Sequence, residues 1–253
     1  MLLAIDIGNT NIVIGVFQDK TLLDKWRIST QINKTEDEYM SLLDSYLNKK
    51  KYHFHSGIIS SVVPSLDKVF ENLFKKMLRI KPIIVSHKLN LGIHPRYKNP
   101  DEIGADRLVN AAAACKLYSA PLIIIDFGTA ITVCYVDKDN IYHGGLILPG
   151  INLMRHLLHS QTAKLPEVEI VKPDWIIGEN TEKAIQAGLF YQTAGSMNYI
   201  IDLLLKKYDK KSKIILTGGQ ASLFNDHLGH KTIIEHDLTL KGLQIIFSLN
   251  TGG

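Results

Sequence analysis

The chain has 253 residues, with 29 Lys and Arg against 25 Asp and Glu for a net charge of +4, and apolar and charged fractions near globular averages. That length is ample for a well-buried core in one large domain or two smaller ones. No apolar run approaches the roughly 18 residues of a membrane span, Met1 to Asp6 has no basic leader, and the two cysteines, Cys115 and Cys134, sit in apolar or Ala-rich segments. A soluble, cytoplasmic protein with buried thiols is expected, with no membrane association.

In chain order, hydrophobic periodicity predicts strands over Leu2–Ile7, Asn11–Phe17 and Leu22–Ile28. A helix follows over Asp37–Asn48, with Thr35 and Glu38 at capping-box spacing. Next come a strand over Gly57–Val63, a helix over Leu66–Leu78 and a strand over Pro82–Ser86. A further helix is expected to begin near Pro100 and run to Tyr118. The order then restarts: strands over Leu122–Asp126, Ile131–Val136 and Tyr142–Leu148, a helix over Ile151–Leu158, and a long helix with a break over Thr181–Lys207. A strand over Lys213–Leu216 leads through Thr217-Gly218-Gly219 to a short helix, a strand at Ile233–Ile234 and a final helix over Leu238–Leu249. The basic patches Lys49–Lys51 and Lys206–Lys213 follow expected helix ends, where cations suit the macrodipole. No aromatics interleave with them as a nucleic-acid platform requires, so no nucleic-acid partner is expected. The pairs His156/His159 and His227/His230 lack the glutamate or cysteine of a zinc site.

The two halves read as a duplicated βββαβαβ unit, which places an N-terminal domain at 1–117 and a C-terminal domain at 118–253. Leu3-Ala-Ile-Asp6-Ile-Gly8-Asn-Thr10 aligns with Ile123-Ile-Ile-Asp126-Phe-Gly128-Thr-Ala130. One Asp-x-Gly after a strand is a common turn; two opening similar halves favour phosphate binding. Glycine lets the backbone approach a ligand, and Asn9, Thr10, Asn11 and Thr129 add short polar groups at the rim. The aspartates can hold a metal ion or its water shell.

This arrangement resembles the superfamily of acetate and sugar kinases, heat-shock chaperones and actin. The resemblance implies an α/β fold of two actin-like, ribonuclease H-like domains with a central ATP cleft. Asp6 to Val13 would be the first phosphate loop, and Asp126 to Thr132 the second. Thr217-Gly218-Gly219 would be the adenosine motif.

Asn99-Pro-Asp-Glu-Ile-Gly-Ala-Asp-Arg107 is the most informative remaining segment. Asn99 and Pro100 suit a helix start. Gly104 inside that helix would cost about 1 kcal/mol relative to Ala, which suggests close approach to its backbone. Asp106 and Arg107 offer a base and a cation, although spacing alone leaves a surface salt bridge equally open.

The segment is similar to the N-P-x-E-x-G-A-D-R signature of type III pantothenate kinases. Trp26-Arg-Ile-Ser-Thr30, Asp37-Glu-Tyr39, Gly144-Gly-Leu-Ile-Leu-Pro-Gly150 and Gly178-Glu-Asn-Thr-Glu-Lys-Ala-Ile-Gln-Ala-Gly188 extend the resemblance over nearly the whole chain. It implies transfer of the ATP γ-phosphate to the primary hydroxyl of pantothenate, the first step towards coenzyme A. Asp106 would be the catalytic base, with no need of a raised pKa. Tyr97, Gly104, Ala105, Asp106 and Arg107 would line the pantothenate pocket, completed by Thr181 from the neighbouring subunit of a homodimer. Asp6, Ile7, Gly8, Asn9, Thr10, Asn11, Ile12, Val13 and Thr129 would bind ATP. Asp126 would hold a monovalent cation, K+ or NH4+, and Asp6 a divalent metal such as Mg2+ through water. A sugar kinase of the same superfamily is the first rival, and a regulatory factor without catalysis the second.

Overall fold

The computed structural model describes residues 1–47 and 52–252. Asn48 and the basic patch Lys49–Lys51 lie outside the described residues. Two compact units emerge, Met1–Leu117 with Asp237–Gly253, and Tyr118–His236.

In the first unit, β1 (Leu2–Ile7), β2 (Asn11–Gln18) and β3 (Thr21–Ser29) form an antiparallel meander. After α1 (Glu36–Leu47), β4 (Ser56–Ser61) pairs in parallel with β1. After α2 (Pro64–Leu73), β5 (Ile83–Ile84) pairs in parallel with β4, giving the order β3-β2-β1-β4-β5. The two-residue strand β6 (His94–Pro95) and α3 (Ala105–Tyr118) follow. Alternation on β1 sends Leu3, Ile5 and Ile7 into one core with Tyr39 and Leu43 of α1 and Leu66, Phe70 and Leu73 of α2. Thr35 and Glu38 form the expected reciprocal cap: Thr35 N donates to Glu38 Oε2 at 2.8 Å, and Glu38 N to Thr35 Oγ1 at 3.4 Å.

The second helix departs from expectation. Beyond Leu73 it continues as a π-helical turn, Phe74–Leu78, closed by Arg79 at φ 57°. The N–H groups of Arg79 and Ile80 both donate to the Phe74 carbonyl, a left-handed stop that ends the helix. The Phe74 ring occupies the space where a side chain on Gly57 of β4 would stand, so the small residue in the strand receives the large one from the turn.

The second unit repeats the plan. β7 (Leu122–Phe127), β8 (Ala130–Val136) and β9 (Ile141–Pro149) form a meander, followed by α4 (Ile151–Ser160) and α5 (Thr181–Lys207). Then come β10 (Lys213–Thr217), α6 (Ala221–Asn225) and β11 (Thr232–Ile234), with strand order β9-β8-β7-β10-β11. Ile123, Ile125 and Phe127 pack with Phe190, Met197 and Ile201 of α5, and Phe224 stacks between Phe127 and Phe190 at centroid distances of 5.1 and 5.3 Å. The expected break in α5 is absent. Gly188 and Gly195 face open space while the 3–4 spaced apolar residues hold the helix to the sheet, and Asn180 caps it by accepting from Lys183 N at 2.9 Å.

The C-terminal helix also corrects the expected boundary. α7 (Leu238–Thr251) belongs to the first unit, not to a domain at 118–253. A Cβ on Gly242 would collide with the Val109 carbonyl of α3, so glycine permits a close helix crossing. Leu240 packs against Gly15 of β2, and Thr239 Oγ1 donates to Asn110 Oδ1 at 2.8 Å. Both cysteines are free thiols; Cys134 is buried and Cys115 only half-buried, short of the expected full burial. Among the described residues no helix is long and apolar enough to cross a membrane.

Candidate active site

In each unit the Asp-x-Gly hairpin lies at the carboxyl end of the strand pair that starts the sheet, where open α/β sheets place ligands. In the first unit Asp6 is half-buried at the end of β1, and Asn9 and Thr10 are exposed at the tip. Gly8 N donates to Asn11 O at 3.0 Å, and a Cβ on Gly8 would also stand only 3.0 Å from that oxygen. The tip is braced from β3: Thr30 Oγ1 donates to Gly8 O at 2.6 Å and Thr30 N to Thr10 O at 2.9 Å. Ile7, Asn11, Ile12 and Val13 form the walls of the hairpin, with Ile7 and Ile12 buried in the core.

The Asn99 to Arg107 segment is not one helix. Pro100–Glu102 forms a 3-10 turn, Ile103 is extended, and α3 starts at Ala105. Asn99 makes no backbone cap; its Nδ2 donates to Glu102 Oε1 at 2.9 Å. Gly104 therefore stands outside the helix, and the expected helical glycine penalty does not apply. Its carbonyl accepts from Arg107 N and Leu108 N at 3.1 and 3.3 Å. A Cβ on Gly104 would stand 2.5 Å from Asp106 Oδ1, so its absence makes room for the carboxylate. Asp106 Oδ1 accepts from Arg107 N at 2.8 Å. Burial pushes the Asp106 carboxyl above its ordinary range, against the smaller opposing effects of the Arg107 amide and charge. Arg107 is buried, whereas Tyr97 is partly exposed before the turn.

In the second unit Asp126 ends β7, paired in register with Thr217 of β10, and Thr129 is exposed at the hairpin tip. Gly218 has φ +89°, and a Cβ there would collide with Asp126 Oδ1 and the Phe127 carbonyl. Gly218 of the Thr217-Gly218-Gly219 motif thus leaves room for the Asp126 carboxylate. Gly150 plays a parallel part: its N–H donates to Thr129 O at 3.0 Å, and a side chain there would strike the hairpin carbonyls. Asp126 and the Phe127 carbonyl lie against the same glycine, an all-oxygen donor pair that suits a hard cation. On the first unit, a carboxylate such as that of Asp6 has the chemistry to hold a divalent ion through water. Thr181 is exposed at the first turn of α5.

Thr30 and Gly150 lie in motifs legible in the sequence, but their bracing roles require the tertiary pairing. The histidine pairs serve locally: His230 meets Asp202 at 3.0 Å, and the His227 ring lies edge-on to Phe190. A cavity of ≈ 680 Å³ in the first unit, lined by Lys68, Lys75 and Arg79, includes none of the expected site residues.

The sheet of each unit, with its hairpin and following helices, has counterparts among known proteins. A ROK family glucokinase from Streptomyces griseus shares the fold over 100% of this chain and 99% of its own, with TM-score 0.54 and 12% identity. Curated type III pantothenate kinases from Finegoldia magna and Brevibacillus brevis are 46% and 43% identical over 99% of this chain and 98% and 99% of their own lengths. A family model for type III pantothenate kinase matches residues 2–203. With the Asp-x-Gly hairpins and the Gly104–Arg107 turn in place, the chain belongs to the type III pantothenate kinase family.

Proposed function

We propose that this chain phosphorylates pantothenate with Asp106 as the general base. Family membership carries the reaction itself: the γ-phosphoryl group of ATP passes to the primary hydroxyl of pantothenate, giving 4'-phosphopantothenate in the first step of coenzyme A biosynthesis. In the proposed step the hydroxyl oxygen bonds to the γ-phosphorus, the bond to the β-γ bridging oxygen breaks, and ADP leaves. The hydroxyl proton passes to the Asp106 carboxylate.

The Asp106 carboxylate carries this reading. Gly104 clears space beside it, and the Arg107 amide fixes Oδ1 at 2.8 Å; Oδ2 is assigned to the substrate proton. Arg107 and Tyr97 are assigned to the carboxylate and polar groups of pantothenate. The Asp6 to Val13 hairpin and Thr129 are assigned to the phosphates, with Asp6 holding the divalent ion through water. That ion supplies charge neutralisation on the phosphoryl oxygens when bound. Asp126 is assigned to a monovalent cation, K+ or NH4+, a reading supported by the Phe127 carbonyl that lies against the same glycine as its carboxylate.

The homodimer is supported by exposed apolar side chains in the second unit. Leu153 and Leu157 on α4, and Tyr199 and Leu203 on α5, repeat at i,i+4 on the outer faces of two packed helices; Tyr199 is 66% exposed. Thr181 of one subunit would reach the pantothenate site of the other. A cytoplasmic location is the reading that suits an enzyme of coenzyme A biosynthesis.

Asp106→Asn tests the base. Turnover, measured as pantothenate-dependent ADP release, should fall by at least about 100-fold, the lower end for a general base. Calorimetric affinity for ATP and pantothenate should stay within a few-fold of wild type. Normal turnover with weakened pantothenate binding would remove Asp106 from the base role.

A further inference from the structure

Ser60, at the carboxyl end of β4, is fully buried at 0% exposure, and its hydroxyl has no hydrogen-bond partner. Such a group is destabilising where it stands. Its position in the sheet is specific. Register pairs Ser60 with Asp6 across the parallel β1–β4 ladder, so the two side chains leave the same face on neighbouring strands about 5 Å apart. Ile5, Ile7 and Ile59 point to the opposite face, into the core. Val62, just past the end of β4, is a residue that a side chain on Gly104 would touch at 3.6 Å. The hydroxyl thus stands on the face of the sheet that carries Asp6, at the foot of the phosphate hairpin.

We infer that Ser60 is a positioning residue for the Asp6 carboxylate, its hydroxyl donating to that carboxylate when nucleotide and divalent ion occupy the β1–β2 hairpin. The sequence alternatives at this position make the point. Alanine or valine would fill a buried strand position without leaving a polar atom unpartnered, and valine would suit the strand better. A hydroxyl there gains from a bond to an ionised group, which is stronger than a neutral one. The inference rests on the assignment of Asp6 to the phosphate site.

The test compares Ser60→Ala, Ser60→Cys and Asp6→Asn in the full-length protein. Three quantities are measured: melting temperature, calorimetric affinity for AMPPNP with Mg2+, and kcat and KM for ATP and pantothenate. The expectation for Ser60→Ala is an unchanged or higher melting temperature, with kcat/KM for ATP lowered about tenfold, the value of one charge-assisted hydrogen bond. AMPPNP affinity should weaken in parallel while the pantothenate KM stays unchanged. Ser60→Cys keeps the volume with a weak donor and should fall between the two. A lowered melting temperature with unchanged nucleotide affinity would make Ser60 merely structural and overturn the inference. Wild-type values throughout for Ser60→Ala would overturn it as well. Asp6→Asn separates the layers: if it weakens nucleotide binding while Ser60→Ala does not, only the Ser60 role fails. If Asp6→Asn binds AMPPNP normally, the underlying Asp6 assignment fails too.

Discussion

Burial raises the Asp106 carboxyl above its ordinary range, and the sign of that shift links stability to rate. Between the unfolded pKa, near 3.8, and the higher folded value, the folded chain binds more protons than the unfolded one. Stability therefore falls as pH rises through that window, and the penalty is fully present above the folded value. Asp106→Asn should accordingly melt higher than wild type at pH 7, with the gap closing as pH drops below the unfolded value. Thermal denaturation across pH checks this; a mutant that melts lower at pH 7 would contradict it. The same shift predicts that kcat/KM declines on the acid side with a midpoint above the usual aspartate range, readable in a pH–rate profile. The legibility of the sequence was uneven at this scale. Asp6 and Asp126 stood out because their motif repeats, and Asp106 because its signature is dense. Ser60 carried no such mark: a serine in an apolar strand acquires meaning only when register places it beside Asp6.

Elements show why particular small residues stand where they do. Gly218 combines a left-handed backbone with a missing Cβ that Asp126 and the Phe127 carbonyl would strike. Gly218→Ala should lose about 1–2 kcal/mol to backbone strain alone, with steric cost added, and should displace the Asp126 carboxylate. The measurable outcomes are a lower melting temperature and loss of activation by K+; a variant with wild-type stability and K+ response would refute this account. Most strands were readable from periodicity, though not the two-residue β6, whereas helix interruptions were not. The split after Leu73 depends on the Phe74 ring reaching Gly57, and the continuity of α5 depends on packing that outweighs two helical glycines. The start of α3 was misread because Asn99 and Pro100 are good helix openers, yet they open only a 3-10 turn before the chain straightens at Ile103.

At the scale of the whole molecule, the two units share one strand order, and both hairpins occupy the same topological position. Duplication was legible because repeated strands carry repeated motifs. The destination of α7 was not, since an amphipathic helix at a chain end can cover either unit. Its packing through Leu240 and Gly242 makes it part of the first unit's fold. Deleting residues 237–253 should expose the Ala-rich face of α3 and leave an insoluble or dye-binding protein; a soluble truncation with native circular dichroism would refute that role. The exposed α4 and α5 faces give a second molecular prediction. Tyr199→Glu with Leu203→Glu should convert a dimer to a monomer by light scattering and lower turnover, because Thr181 would no longer complete the partner's site. An unchanged mass would place the interface elsewhere.

The central claim is ATP-dependent phosphorylation of pantothenate, and ADP release by the purified protein with Mg2+ and ATP tests it most directly. Release should require pantothenate and fall sharply when K+ is replaced by Na+. ADP release indifferent to pantothenate, or none at all in K+ buffer, would contradict the account.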